Sequence, residues 1–168
     1  LGIREDVKMT YSIVYSSVTG NTEQLAQAIQ QAVGATYCGK PSDEALAADT
    51  IFIGFWSTRY SCGADIQAFM KQLSGKKVFL FGTAGFGDTK EFYEKILESA
   101  QTHLPASNEL IGSYMCLGKV TDKMQTHIKE GAPELYAEIK EVLAEAAHHP
   151  NQADLDELVA SVKKALTK

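Results

Sequence analysis

Two apolar stretches with no polar face constrain this chain more than anything else in it. Thr50–Trp56 reads Thr-Ile-Phe-Ile-Gly-Phe-Trp and Lys77–Gly82 reads Lys-Val-Phe-Leu-Phe-Gly. A strand that is hydrophobic on both sides must be covered on both sides, as a central strand of a parallel sheet is. The neighbouring sequence supplies the cover. Met9–Tyr15, Ala35–Cys38 and Glu109–Cys116 predict three further strands. Between the strands, Glu23–Val33, Asp65–Leu73 and Glu91–His103 space their apolar residues as helices do: Leu25 with Ile29, Ile66 with Phe69 and Leu73, Phe92 and Tyr93 with Ile96 and Leu97. Gly34 and Ser74-Gly75 stop the first two helices, and Ser42, Asp43 and Glu44 open a brief helical turn within the connector Pro41–Ala48. A strand–helix alternation of this kind, with right-handed crossovers, predicts an α/β fold: a doubly wound, five-stranded parallel sheet with helices on both faces.

Three more helices are expected at Thr121–Glu130, Pro133–Ala147 and Leu155–Leu166, the last opening near Asn151 or Asp154. The stripes Leu135, Ile139, Val142, Leu143 and Leu155, Leu158, Val159, Val162 are both expected to pack on the sheet. At 168 residues the chain suits one well-cored domain, expected over residues 9–168 with the helices of 119–168 packed onto it. Leu1–Lys8 is polar and unpatterned, and Met9 stands where a natural start would fall, so the first eight residues are expected outside the domain.

The formal charge of −5, with lysine pairs only at Lys76-Lys77 and Lys163-Lys164, argues against nucleic-acid binding. No apolar run approaches the roughly 18 residues of a membrane span, and no secretory pattern opens the chain. Cys38, Cys62 and Cys116, odd in number and widely spaced, argue against a disulfide framework or zinc site and point to a cytoplasmic location. His148-His149, ahead of Pro150, reads as an exposed helix terminus rather than a metal site. Cys62 lacks a Cys-x₅-Arg loop or histidine dyad, so no catalytic residue is assigned.

The junction between the first strand and first helix, Ser16–Thr22, reads Ser-Ser-Val-Thr-Gly-Asn-Thr. There the first helical amides lack intrahelical partners and the helix dipole is positive. Ser16, Ser17, Thr19, Thr22 and the Asn21 amide can converge on that point, and Gly20 permits positive φ. One helix cap needs one such residue, and five donors in seven positions suit a phosphate. Neither the Gly-Lys-[Ser/Thr] ending of a Walker loop nor Gly-x-Gly-x-x-Gly is present. A cradle of neutral donors fits a phosphate monoester that stays bound.

Tyr15–Thr22, ending Thr19-Gly20-Asn21-Thr22, resembles the FMN-phosphate loop of flavodoxins, and the resemblance runs from Met9 to about Gly118. It implies strand order 2-1-3-4-5, with the ligand crevice at the carboxyl ends of strands one and three. It implies FMN as cofactor, its phosphate held by Ser16, Ser17, Thr19, Gly20, Asn21 and Thr22. The ring would lie between Trp56, Ser57, Thr58, Arg59 and Tyr60 after strand three and Thr83, Ala84, Gly85, Phe86 and Gly87 after strand four, with Trp56, Tyr60 and Phe86 as stacking candidates. The strand-three loop departs from the family's Trp-Gly-Asp type segment, since its only glycine, Gly63, comes late and its tryptophan early. Arg59 beside a flavin would raise its potential: a unit charge about 5 Å away at an effective dielectric near 20 contributes about 3 kcal/mol, or about 0.1 V for one electron. Asp88 or Thr89 is the expected cap of the following helix, and Cys116 and Gly118 are candidates to line the site's far side.

The implied function is that of an FMN-binding electron-transfer protein, a monomer shuttling electrons between redox partner proteins, a reductase and an acceptor. Asp43, Glu44, Asp65, Glu91 and Glu94 are candidates to orient a basic partner, and the helix at Thr121–Glu130 to flank the crevice or meet a partner. The alternatives are an FMN-dependent NAD(P)H reductase acting on a quinone or pigment, and a flavin-free scaffold on the same fold.

Overall fold

The structure is a computed structural model that describes residues 9–17, 19–57, 61–87 and 89–167. The eight-residue polar leader therefore lies outside the described residues. Five strands, β1 (Tyr11–Tyr15), β2 (Tyr37–Gly39), β3 (Thr50–Trp56), β4 (Lys77–Ala84) and β5 (Glu109–Leu117), form one sheet in the order 2-1-3-4-5. Every neighbouring pair is parallel. The order reverses between β1 and β3, as expected.

The alternation of side chains along each strand sorts the apolar residues between two faces. Ile13, Phe52, Phe79 and Phe81 face one side, where α1 (Asn21–Val33) contributes Leu25, Ala26 and Ile29, and α6 (Gln152–Leu166) contributes Leu158, Val162 and Ala165. Val14, Ile51, Ile53, Phe55, Val78 and Leu80 face the other. There they meet Ile66, Phe69 and Met70 of α2 (Ala64–Lys71), Ile96 and Ala100 of α3 (Lys90–Gln101), and Ala45 from the 3₁₀ turn Asp43–Ala47. Phe52, Phe55, Phe79 and Phe81 are all fully buried. The two-sided strands are covered twice, and the sheet is doubly wound.

Packing at the strand centres is tight where β3 and β4 run side by side. A methyl group added at Gly54 would collide with the Phe81 ring, so the strand carries glycine there to admit a neighbouring phenylalanine.

The C-terminal helices divide differently from the expectation. α6 packs on β5 and α1, whereas α4 (Asp122–Gly131) and α5 (Pro133–Ala146) pack chiefly on each other. The stripe predicted to place α5 on the sheet is buried only at its carboxyl end, at Leu143 and Ala146, and Leu135 is exposed. α4 buries no residue, and its Met124 is also exposed. An amphipathic stripe shows that a helix has an apolar face; it does not choose between sheet and neighbouring helix. No described helix is long and apolar enough to cross a membrane.

Candidate functional site

The carboxyl ends of β1, β3, β4 and β5 share one edge of the sheet, and their loops build the candidate site. The parallel register fixes their relative heights: Tyr15 lies beside Gly54, and Trp56 beside Thr83, which in turn lies beside Cys116. Past the strands, the Ser16 amide donates to the Gly54 carbonyl at 3.2 Å, the Ser57 amide to Thr83 at 2.8 Å and the Gly118 amide to Ala84 at 3.0 Å. The ladder thus extends one residue into each loop and aligns them before they diverge.

The β1–α1 loop turns into its helix on Gly20, whose φ of 89° lies in the left-handed region. The turn is closed by the Gly20 amide, which donates to the Ser17 hydroxyl oxygen at 3.1 Å. No side chain caps α1. The amides of Asn21, Thr22 and Glu23 make no hydrogen bond among the described residues, and they open the helix at its positive end. Thr22 is buried, and its Oγ1 has no hydrogen-bond partner among the described residues. A buried hydroxyl left unpaired carries a desolvation cost of about 1–3 kcal/mol, so its presence at this point calls for a partner. Ser16 and Ser17 are half-buried and Thr19 is exposed.

Asn21 has a second tie besides its place in the loop. One of its amide hydrogens goes to the Lys119 carbonyl at 2.8 Å, 98 residues away, and ties the loop to the segment leaving β5. Gly118 lies beneath it: a Cβ there would stand 2.8 Å from Asn21 Nδ2 and 3.0 Å from the Thr83 Cβ. Gly118 therefore belongs to the site as the residue that lets Asn21 approach. Cys116 does not line the edge; it is buried in the core between the sheet, α1 and α6.

The aromatic end is looser. Trp56 is the last residue of β3 and stands 38% exposed, among the largest exposed apolar side chains of the chain, so it is no core residue. Thr83 and Ala84 close β4 as buried residues, and Gly85, Phe86 and Gly87 are half-buried beyond it. The two glycines have explanations within the chain. A Cβ at Gly85 would strike the Val120 side chain, and one at Gly87, where φ is 80°, would lie 2.5 Å from the Phe92 ring. Thr89 caps α3 by accepting the Phe92 amide at 3.1 Å. Thr58, Arg59 and Tyr60, which the sequence assigned to the ring, and Asp88, the other cap candidate, lie outside the described residues.

The Tyr15 phenol and the three thiols are held in their neutral forms. Burial, then the Glu23 charge, pushes the Tyr15 phenol up, and Tyr15 donates to Glu23 Oε2 at 3.3 Å. Burial also raises the thiols of Cys38, Cys62 and Cys116, all of them free. Cys62, the loop thiol, is buried and raised, the opposite of an activated nucleophile.

His149 is not the exposed helix terminus that the sequence predicts: its side chain is only 17% exposed and lies between two carboxylates, Asp154 Oδ2 at 2.6 Å and Glu145 Oε2 at 2.8 Å. The signal was present as acidic residues four positions before and five after it, but only the α5–α6 turn brings them together.

A profile of the flavodoxin domain matches residues 12–163 of this chain. The flavodoxin-like domain-containing protein BilS of Clostridium symbiosum is 37% identical over 133 residues, which cover 67% of this chain and 70% of that protein. Among solved structures, oxidised flavodoxin 2 from Bacillus cereus superposes with a TM-score of 0.54 at 18% identity, covering 94% of this chain and 98% of its own. A flavoprotein from Lactobacillus acidophilus in complex with FMN gives a TM-score of 0.52 at 14% identity, covering 64% and 93%.

Proposed function

The chain belongs to the flavodoxin domain family, and from that premise we propose that it binds FMN at the carboxyl edge of its sheet and carries electrons between protein partners. The observation that carries the reading is the Thr22 hydroxyl, buried at the start of α1 without a partner among the described residues. A phosphate ester is an acceptor of the right kind for it, and for the amides of Asn21, Thr22 and Glu23 around it, which have no partner among the described residues. The residues present therefore fit a phosphate end, and they do so without a cation in the turn.

When bound, FMN supplies the redox chemistry. The chain supplies position. Ser16, Ser17, Thr19 and Thr22 offer hydroxyls, Gly20 brings the backbone close, and the dipole of α1 favours the negative charge. Trp56 at the end of β3 and Phe86 in the loop after β4, aligned by the β3–β4 register, offer flat apolar surface to the ring, with Ser57, Thr83, Ala84, Gly85 and Gly87 supplying backbone beside it. Thr58, Arg59 and Tyr60 join them by sequence position. Asp43, Glu44, Asp65, Glu91 and Glu94 are all exposed, which supports a basic partner surface. Three free thiols support a reducing, cytoplasmic setting.

Titration of the purified protein with FMN, followed by stopped-flow mixing with NADH or NADPH, tests the reading. An electron carrier takes up FMN and stays oxidised with either nicotinamide alone, but is reduced once a flavoprotein reductase is added. Rapid reduction by the nicotinamide alone would identify an FMN-dependent reductase instead, and failure to take up FMN would favour a flavin-free scaffold.

A further inference from the structure

Asn21 spends a side-chain hydrogen bond on a residue that has no place in the phosphate loop, and following that bond leads to His149. Asn21 Nδ2 donates to the Lys119 carbonyl. The amide of the same residue, Lys119, donates to the His149 carbonyl at 3.0 Å. Lys119 is thus held through its N–H and its C=O by two parts of the chain that share no other contact in this relay. Its side chain is not needed for either bond.

His149 in turn is fixed more firmly than a loop residue needs to be. Its amide donates to the Ala146 carbonyl at the end of α5. Its Nε2 meets Glu145 in the last turn of α5, and its Nδ1 meets Asp154 in the first turn of α6. Asp154 Oδ2 also accepts the Asn151 amide at 2.8 Å, completing the capping box that starts α6. A carboxylate can only accept, so an imidazole serving two of them must carry a proton on each nitrogen. The groups around it are Glu145 from α5, Asp154 from α6, and, behind Asp154 on β5, Tyr114 and Cys116, both raised by burial and by the Asp154 charge.

We propose that His149 is a positioning residue for the phosphate end of the site: clasped as an imidazolium between Glu145 and Asp154, it fixes the Lys119 peptide that in turn orients Asn21 at the start of α1. The relay joins the last two helices of the chain to its first loop. It rests on the FMN reading for its ligand, but the clasp and the relay are properties of the protein alone.

Two measurements on His149→Gln test it. In the protein without added flavin, the Lys119 amide should exchange with solvent deuterium at least about tenfold faster than in the wild type, since its acceptor is no longer held. In titrations, the Kd for FMN should rise about tenfold while that for riboflavin, which lacks the phosphate, changes less than about twofold. Measured against His149→Gln, the wild type's ratio of FMN to riboflavin affinity should fall as pH rises from 6 to 8, as the imidazolium loses its proton. The phosphate's own titration near pH 6 is common to both proteins and cancels in the comparison. Glu145→Gln, at a carboxylate 60% exposed, provides a folded variant if His149→Gln does not accumulate, and should shift both readouts in the same direction by about two- to threefold. An unchanged Lys119 exchange rate, or equal losses for FMN and riboflavin, would overturn the proposal. If the wild type binds neither flavin, the FMN reading fails, and the Lys119 exchange rate alone decides whether the relay exists.

Discussion

The two ends of the candidate site are built on opposite plans. At the phosphate end the working groups are backbone amides and one buried hydroxyl, and the loop that holds them is tied at Asn21 to a segment 98 residues away. At the aromatic end the working groups are side chains at strand ends, with Trp56 exposed and its glycine neighbours already filled by Val120 and Phe92. A phosphate has one shape and a fixed charge, so a rigid, pre-aimed set of donors suits it. A ring system makes contact through area, and area tolerates displacement. Substitutions at the first end should therefore act sharply and discriminate FMN from riboflavin. Those at the second should act gradually and treat the two alike.

The largest effect is expected from Gly20→Val. A Cβ added there meets nothing within 4 Å among the described residues, and the backbone itself carries a penalty: a β-branched residue at φ 89° costs about 2 kcal/mol and drives the turn to another conformation. FMN affinity should fall by about 30-fold or more in a fluorescence-quenching titration, with a much smaller change for riboflavin. Equal losses would break the contrast between the two ends.

Thr22→Val should come next, and it has two opposite signs. The substitution replaces an unpaired buried hydroxyl with a methyl of the same shape. The flavin-free protein should become more stable, by about 1 kcal/mol in denaturant unfolding. FMN affinity should fall by about tenfold, because a hydrogen bond to a charged oxygen is lost. A variant that is neither stabilised nor weakened for FMN would show that Thr22 is a packing residue.

What could be foreseen of these two ends differs for a physical reason. The strands, their order and the cradle follow from local signals: two-sided apolar runs, helical spacing, and donors crowded at a helix start. β3 falls on the expected residues, and Thr89 and Asn151 cap the helices near where the sequence suggested. Gly85 and Gly87 show the limit of such reading: the sequence does not reveal that a Cβ at either would meet Val120 or Phe92, a reason for glycine that lies within the chain. The relay through Lys119 and His149 is illegible in the sequence, because the two bonds that join its parts, Asn21 to Lys119 and Lys119 to His149, are long-range and run through backbone atoms that every residue type carries. For the same reason α5 was assigned to the sheet: its stripe is visible in the sequence, its partner is not.

Trp56→Ala sharpens the aromatic end. The side chain is too exposed to support the core, so unfolding should change by less than about 0.5 kcal/mol. FMN and riboflavin affinities should both fall by about fivefold, in keeping with an aromatic contact of about 1 kcal/mol. A loss confined to FMN would place the indole at the phosphate.

The smallest effect concerns stability rather than binding, and its sign is fixed by His149. Burial alone would lower the pKa of this histidine, but the hydrogen bonds to Asp154 and Glu145, with their charges, outweigh it and raise the value above the ordinary one of about 6.5. A group whose folded pKa is raised binds its proton more tightly in the folded protein. Its contribution is therefore fully present below about pH 6.5 and is lost as pH rises through the folded value. The melting temperature of the flavin-free protein should decline from pH 6 toward pH 8, and Glu145→Gln should flatten the decline. Because Glu145 is more than half exposed, its pair contributes only about 0.5 kcal/mol, a shift of a few degrees at most. If stability instead rose over this interval, the imidazole would be binding as the neutral ring, and the clasp would hold Asp154 alone.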